Sequence, residues 1–194
     1  MKQILTFNIL TSIFLTVLTS CENGSFKNET VVTDTIQTKT DSVNKITKSN
    51  NIFENLNELI TDLSKNGIGE LKEWSNPMEM GWGSLTDYYQ FGSKKDGIGM
   101  QNNIAYYIEG TESKATKMYI NLNINNPADK KNALKFLNEI SGKTFKTLNV
   151  PMPKELSDAI LKSKEYKTEI GGFKVSNKLD KSKIETWKVN IEKN

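Results

Sequence analysis

The sequence predicts an α+β domain over residues 51–194. It consists of a roughly five-stranded, mostly antiparallel sheet with helices on one face, in the order α-β-β-β-α-α-β-β. Three observations lead there. Residues 118–125 alternate without a break: Met118, Ile120, Leu122 and Ile124 are apolar, while Tyr119, Asn121, Asn123 and Asn125 are not. That period marks a strand with one dry and one wet face. Residues 52–63 place Ile52, Phe53, Leu56, Leu59, Ile60 and Leu63 at helical spacing. Asn126-Pro127, an N-cap followed by a proline at the first helical position, opens a second helical period through Ala133, Leu134, Leu137 and Ile140.

The elements follow in order. The first helix covers 52–65, with Asn51 and Glu54 as its capping box and Gly67 as its stop. Residues 68–84, with Trp74, Pro77, Trp82 and three glycines, read as a loop. A first strand carries Leu85, Tyr89 and Phe91 in alternation. Asp96-Gly97 is a hairpin turn signal. A second strand keeps its even positions apolar at Ile98, Met100, Ile104, Tyr106 and Ile108, and a polar turn over 109–114 leads to the third strand at 118–124. The second helix ends at Gly142. Pro151 and Pro153 precede a third, shorter helix with Leu156, Ala159 and Ile160. One strand near 166–176, interrupted by Gly171-Gly172, and one at 184–191, with Trp187, Val189 and Ile191, close the domain. No internal repeat is visible.

Composition narrows the chemistry. Charged residues are 25% and hydrophobic residues 36% of the 194, enough apolar material for one core. All 26 basic residues are Lys, against 23 acidic ones. A balance this even predicts neither nucleic acid nor an anionic membrane surface as partner. Without Arg there is no planar fork for bidentate grip on phosphate, carboxylate or guanine. Without His the commonest general base and metal ligand are gone. The single Cys permits no intrachain disulfide and no cysteine-based zinc site. No cofactor and no metal site are expected.

That Cys stands at position 21, after Lys2 and an apolar run from Ile4 to Leu18. The run is too short for the roughly 20 residues of a membrane-spanning helix and suits a secretory signal. Leu18-Thr19-Ser20-Cys21 resembles the lipobox of bacterial lipoproteins. The resemblance implies cleavage after Ser20, a diacylglycerol on the Cys21 sulfur and a further acyl chain such as palmitate on the new amine. Two or three chains make the anchor stable where one does not. Thr19 is bulkier than the usual residue there. Glu22, not Asp, follows the Cys, so the enteric sorting rule implies the outer membrane of the cell envelope. The organisation is then 1–20 signal peptide, 21–50 lipidated Cys and tether, 51–194 domain. The tether, rich in Thr, Ser, Asn, Lys and Asp and free of Pro and Trp, spans about 30 Å as a flexible chain. Asp34-Thr35-Ile36 and Asp41-Ser42-Val43 resemble O-glycosylation acceptor triplets; an unmodified polar linker is the alternative.

Several motifs fail on context. Ser141-Gly142-Lys143-Thr144 ends like a phosphate-binding loop, but Leu137 stands where its first glycine belongs and a helix precedes it. Ser42-Val43-Asn44-Lys45 lies in the tether without a Lys-Thr-Gly partner. The glycine pairs 67/69, 81/83 and 97/99 lack the third glycine of a dinucleotide fingerprint. Glu73, Glu79 and Asp87 offer carboxylates near the aromatic loop, with no spacing that selects an acid and base pair.

The informative stretch is 74–107. It combines aromatic rings with Asn76, Gln90, Gln101, Asn102 and Asn103, a mixture suited to sugars or a protein hot spot. Trp74, Trp82, Tyr88 and Tyr107 are its binding candidates; alternation sets Tyr88 and Tyr107 opposite the apolar face. The same aromatics also suit an ordinary core and sheet covering. The function expected is a tethered, non-catalytic module for an envelope protein or glycan. Two rivals are a small carboxylate-based envelope enzyme and an inhibitor or immunity-type lipoprotein.

Overall fold

A computed structural model describes residues 52–94 and 97–194. The expected signal peptide, Cys21, the expected tether, the expected cap at Asn51 and Asp96 of the expected hairpin turn lie outside the described residues. The element order is α1 (Leu56–Ser64), β1 (Trp82–Leu85), β2 (Tyr89–Phe91), β3 (Asn102–Gly110), β4 (Ala115–Ile124), α2 (Lys130–Thr147), α3 (Lys154–Leu161), β5 (Tyr166–Ile170), β6 (Phe173–Asp180) and β7 (Glu185–Lys193). The fold is α+β, and every strand pairing is antiparallel.

The sheet runs β1-β3-β4-β7-β6-β5, with β2 on β3 beside β1. It is two meanders joined along β4 and β7. The β4 strand ends at Ile124, and the next strand begins at the far edge, so α2 and α3 carry the chain across β7 and β6. One core cluster unites residues of all three helices with one face of the sheet. Leu59 and Leu63 come from α1, Ala133, Leu134, Leu137, Ile140 and Phe145 from α2, and Leu156 and Ile160 from α3. Tyr106, Ile120, Val175, Trp187 and Val189 meet them from the strands. Phe53 meets Phe173 edge-on at 5.1 Å between ring centroids. Among the described residues, the opposite face carries no helix.

Among the described residues, seven strands replace the expected five for two physical reasons. Gly171 and Gly172 both have positive φ, 58° and 81°, the backbone of a tight hairpin turn, so 166–176 is two paired strands and not one interrupted strand. The first expected strand also splits. Leu85 faces Tyr107, but Tyr89 faces Ile104, so four residues on the edge answer three on β3. The extra residue is a bulge. At the break the Thr86 hydroxyl accepts the Tyr106 N–H at 3.0 Å, and Thr86 N–H donates to the Tyr106 carbonyl at 3.2 Å. The bulge also reverses the alternation. Leu85 points to the helix-free face, whereas Tyr89 and Phe91 turn to the helix side and contact Phe136 of α2.

Two helix ends also move. The cap of α1 is Asn55: its Oδ1 accepts from Glu58 N–H at 3.4 Å and its Nδ2 donates to the Glu58 carboxylate at 2.8 Å. Residues 52–54 form a separate 3-10 turn. Helix α2 passes through Gly142 to Thr147, because Thr144 and Phe145 are buried and hold the last turn against the sheet. At the other end Asn126 Oδ1 accepts from Ala128 N–H at 3.2 Å, but it caps a separate 3-10 turn at Pro127–Asp129 that leads into α2 at Lys130. No helix among the described residues is long and apolar enough to cross a membrane.

Candidate functional site

The helix-free face is built by strand parity. In register, Leu85, Tyr107, Tyr119, Asn190, Ser176 and Lys167 form one row across six strands. Tyr107 and Tyr119 are directly opposite, and their rings stack at 4.9 Å with 9° between planes. Lys188 Nζ lies 4.4 Å from the centroid of Tyr119 and Lys117 Nζ 5.2 Å from it. Tyr119 therefore holds a ring on one side and cations around it. Tyr88 stands on the same face after the bulge, and its hydroxyl shares a 2.8 Å hydrogen bond with that of Tyr107.

Beside this stack runs a groove of about 550 Å³, the size of a small-molecule site. It is lined by Trp82, Gly83 and Leu85 of β1, by Tyr107 and Glu109 of β3 and by Tyr119 of β4, together with Pro77 and Met80 of the preceding loop. The loop that overhangs it is fixed by Asn76, whose Oδ1 accepts Gly81 N–H at 2.8 Å. Its Met78 and Glu79 have φ of 55° and 58°, left-handed values that disfavour non-glycine residues. Met78 and Met80 are 89% and 77% exposed. The segment before the loop pairs with β1 through Ser75 and Gly83, so this edge of β1 is covered.

The phenols of Tyr107 and Tyr119 are both pushed up from their ordinary range. Desolvation is the main cause for each; the bond to Tyr88 adds for Tyr107, and the bond to Glu109 and its charge add for Tyr119. They remain protonated and act as hydrogen-bonding groups, not as phenolate nucleophiles or bases. Tyr119 donates to Glu109 Oε1 at 2.8 Å, and Lys117 approaches Glu109 Oε2 at 3.2 Å. Both oxygens of that carboxylate are thus engaged. Asp87 is paired with Lys72 at 2.5 Å in an exposed position where such a pair contributes little.

The four candidate residues separate. Trp82 and Tyr107 line the groove and Tyr88 joins its rim through Tyr107. Trp74 is packed against the core and donates its indole N–H to the Thr111 carbonyl at 3.2 Å, away from the groove lining. Tyr119, Glu109 and Met80 were not singled out by the sequence. The alternation that set Tyr119 on the wet face was a usable signal for the first; nothing local to the sequence marks the other two. Glu73 lines the groove, whereas Glu79 and Asp87 do not. Among the described residues no group of three or more acidic side chains converges as a metal site. Comparison of the chain with protein-family models, curated proteins and solved structures finds no match.

Proposed function

We propose that this protein is a lipid-anchored module of the bacterial envelope, held on the outer membrane through Cys21, that binds a protein or glycan on its helix-free sheet face without transforming it. The observation that carries this reading is the tyrosine stack of Tyr107 and Tyr119 beside the groove lined by Trp82. Aromatic faces held rigid by a sheet supply contact area at little entropic cost. Protonated phenols and an engaged Glu109 suit recognition better than proton transfer. The anchor is supported by Leu18-Thr19-Ser20-Cys21 at the end of an apolar run.

The test is capture from envelope extract with the full chain in detergent, comparing wild type with Tyr107→Ala and Trp82→Ala. A partner or glycan lost with both variants, each still folded by circular dichroism, is the expected result. Equal capture by all three would sink the reading of this face. In parallel, Cys21→Ser is expected to move the chain out of the membrane fraction; a chain that stays there contradicts the anchor.

One observation favours a second reading. Glu73 and Glu109 line the same groove, which is where a carboxylate-based hydrolase would hold its pair. That reading requires turnover of a glycoside that falls by orders of magnitude in both Glu73→Gln and Glu109→Gln.

A further inference from the structure

The helix-free face follows a charge rule and breaks it once. One row across it reads Glu109, Lys117, Glu192, Lys174, Glu169, each directly opposite the next on neighbouring strands. Signs alternate at every step, the arrangement that favours cross-strand pairing. Four residues further along β6 and β7 the rule fails. Lys178 faces Lys188 directly, and Asn121, the neighbour of Lys188 on its other side, carries no charge. Like charges opposite one another destabilise a sheet. Among the described residues, neither Lys178 nor Lys188 joins an ion pair.

Between the balanced row and this repelling pair lies a concavity of about 290 Å³. Lys117, Lys167, Lys174 and Lys178 line it with Ser176, Asn190 and Glu192. Four ammonium groups and one carboxylate give it net positive charge. Its polar floor is loosely committed: Asn190 Nδ2 reaches Ser176 Oγ and the Lys188 carbonyl only at 3.3 Å each. The concavity is continuous in register with the tyrosine stack, since Asn190 is opposite Tyr119 and Ser176 is opposite Asn190. Lys188 joins the two, with its ammonium over the Tyr119 ring.

We propose that this face binds an acidic polysaccharide chain laid across the strands. A sugar ring sits against Tyr107 in the groove, and the carboxylates or sulfates of later units are held by Lys188, Lys178 and Lys167 over Ser176 and Asn190. The proposal rests on the reading of the sheet face as a binding surface and names its ligand class. Charge complementarity selects an anion. The row of ring, ring, amide and hydroxyl, about 14 Å long at the ordinary strand spacing, selects a chain of hydroxylated rings over an apolar protein anchor. The repelling lysine pair is then a stability cost retained for the ligand.

The experiment measures binding of the full chain in detergent to polygalacturonate, to neutral dextran and to polyglutamate, with thermal unfolding in parallel. Polygalacturonate is expected to bind at least tenfold tighter than dextran or polyglutamate. Lys178→Gln and Lys188→Gln should each weaken it about three- to tenfold while leaving the melting temperature equal or higher, because each relieves the repulsion. Tyr107→Ala should weaken all saccharide binding. Equal binding of dextran and polygalacturonate, unchanged in both lysine variants but lost in Tyr107→Ala, overturns the acidic ligand and leaves the binding face standing. Polyglutamate binding as tight as polygalacturonate, with the same lysine dependence, overturns the saccharide in favour of an acidic protein. No binding of any of the three overturns the proposal; the face itself is then judged by the envelope capture.

Discussion

The hydroxyl of Tyr106 on β3 donates to Thr144 Oγ1 on α2 at 2.6 Å, in the middle of the dry side of the sheet. The direction follows from the neighbours. Thr144 uses its own hydrogen on the Ile140 carbonyl at 2.8 Å, and Tyr106 accepts from Asn66 Nδ2 at 3.0 Å. All three side chains are buried. Removing the hydroxyl in Tyr106→Phe leaves the Asn66 amide and Thr144 each short of a partner. The expected cost is about 1–3 kcal/mol, read as a lower urea midpoint. No change would show that the three groups find other partners.

The same tyrosine gives a pH dependence. Burial is the main cause that raises the Tyr106 hydroxyl from its ordinary value of 10.0 to about 12, against lowering by its bonds to Thr144 and Asn66. The unfolded chain releases this proton first. The stabilisation is complete below pH 10 and is lost as pH rises from 10 towards 12, at about 1.4 kcal/mol per pH unit. Tyr107 and Tyr119 shift in the same direction and add to the slope. Unfolding followed from pH 8 to pH 11.5 should show a flat region and then a decline, shallower in Tyr106→Phe.

The hairpin between β5 and β6 has an asymmetry that mutation can expose. A Cβ on Gly171 would come within 2.8 and 2.9 Å of the Val150 methyl carbons, and the residue has φ of 58°. Gly171→Ala therefore meets both a left-handed backbone and a buried neighbour. It should cost about 2 kcal/mol or more, whereas Gly172→Asn, where Asn tolerates the left-handed backbone, should cost about 1 kcal/mol or less. Comparing the two variants with a Gly171→Ala/Val150→Ala double variant separates the clash from the backbone term.

At α1 the cap decides between two registers. Asn55→Ala is expected to lower stability by about 1 kcal/mol, since it removes both halves of the reciprocal bond with Glu58. Thermal unfolding of this variant beside Asn51→Ala, expected to be near neutral, tests the assignment.

These cases show what a sequence makes legible. The alternation of 118–124 survived into β4, and the helical period survived into α1 from Leu56 onward, because each faces one continuous core. Asn126-Pro127 marked a helix entry because cap and proline both act locally. The misses are places where a distant partner decides. Asn51-Glu54 and Asn55-Glu58 have the same spacing, so the text alone could not choose between them. Gly142 does not stop α2, because burial of Thr144 and Phe145 outweighs the propensity cost of a glycine. The bulge at Thr86 depends on a hydroxyl meeting an amide on another strand. It inverted the expected facing of Leu85, while Tyr89 and Phe91 kept to the helix side. The site was partly visible: parity pointed to Tyr107 and Tyr88, while Trp74 became a packing residue through a carbonyl 37 positions away.

The placement of β7 between β4 and β6 has a consequence for the order of assembly. The strand that closes the middle of the sheet is the last of the seven to be synthesised. Until residues 185–193 arrive, the inner edges of β4 and β6 both stand open, and the apolar row of Met118, Ile120, Leu122 and Ile124 has an unpaired backbone beside it. Such an edge is a template for pairing with another chain. The two meanders cannot lock one after the other as synthesis proceeds; they wait for a common closing strand. A nascent or truncated form ending before residue 185 would thus be an aggregation hazard, and its safe handling before closure falls to whatever holds the unfinished chain.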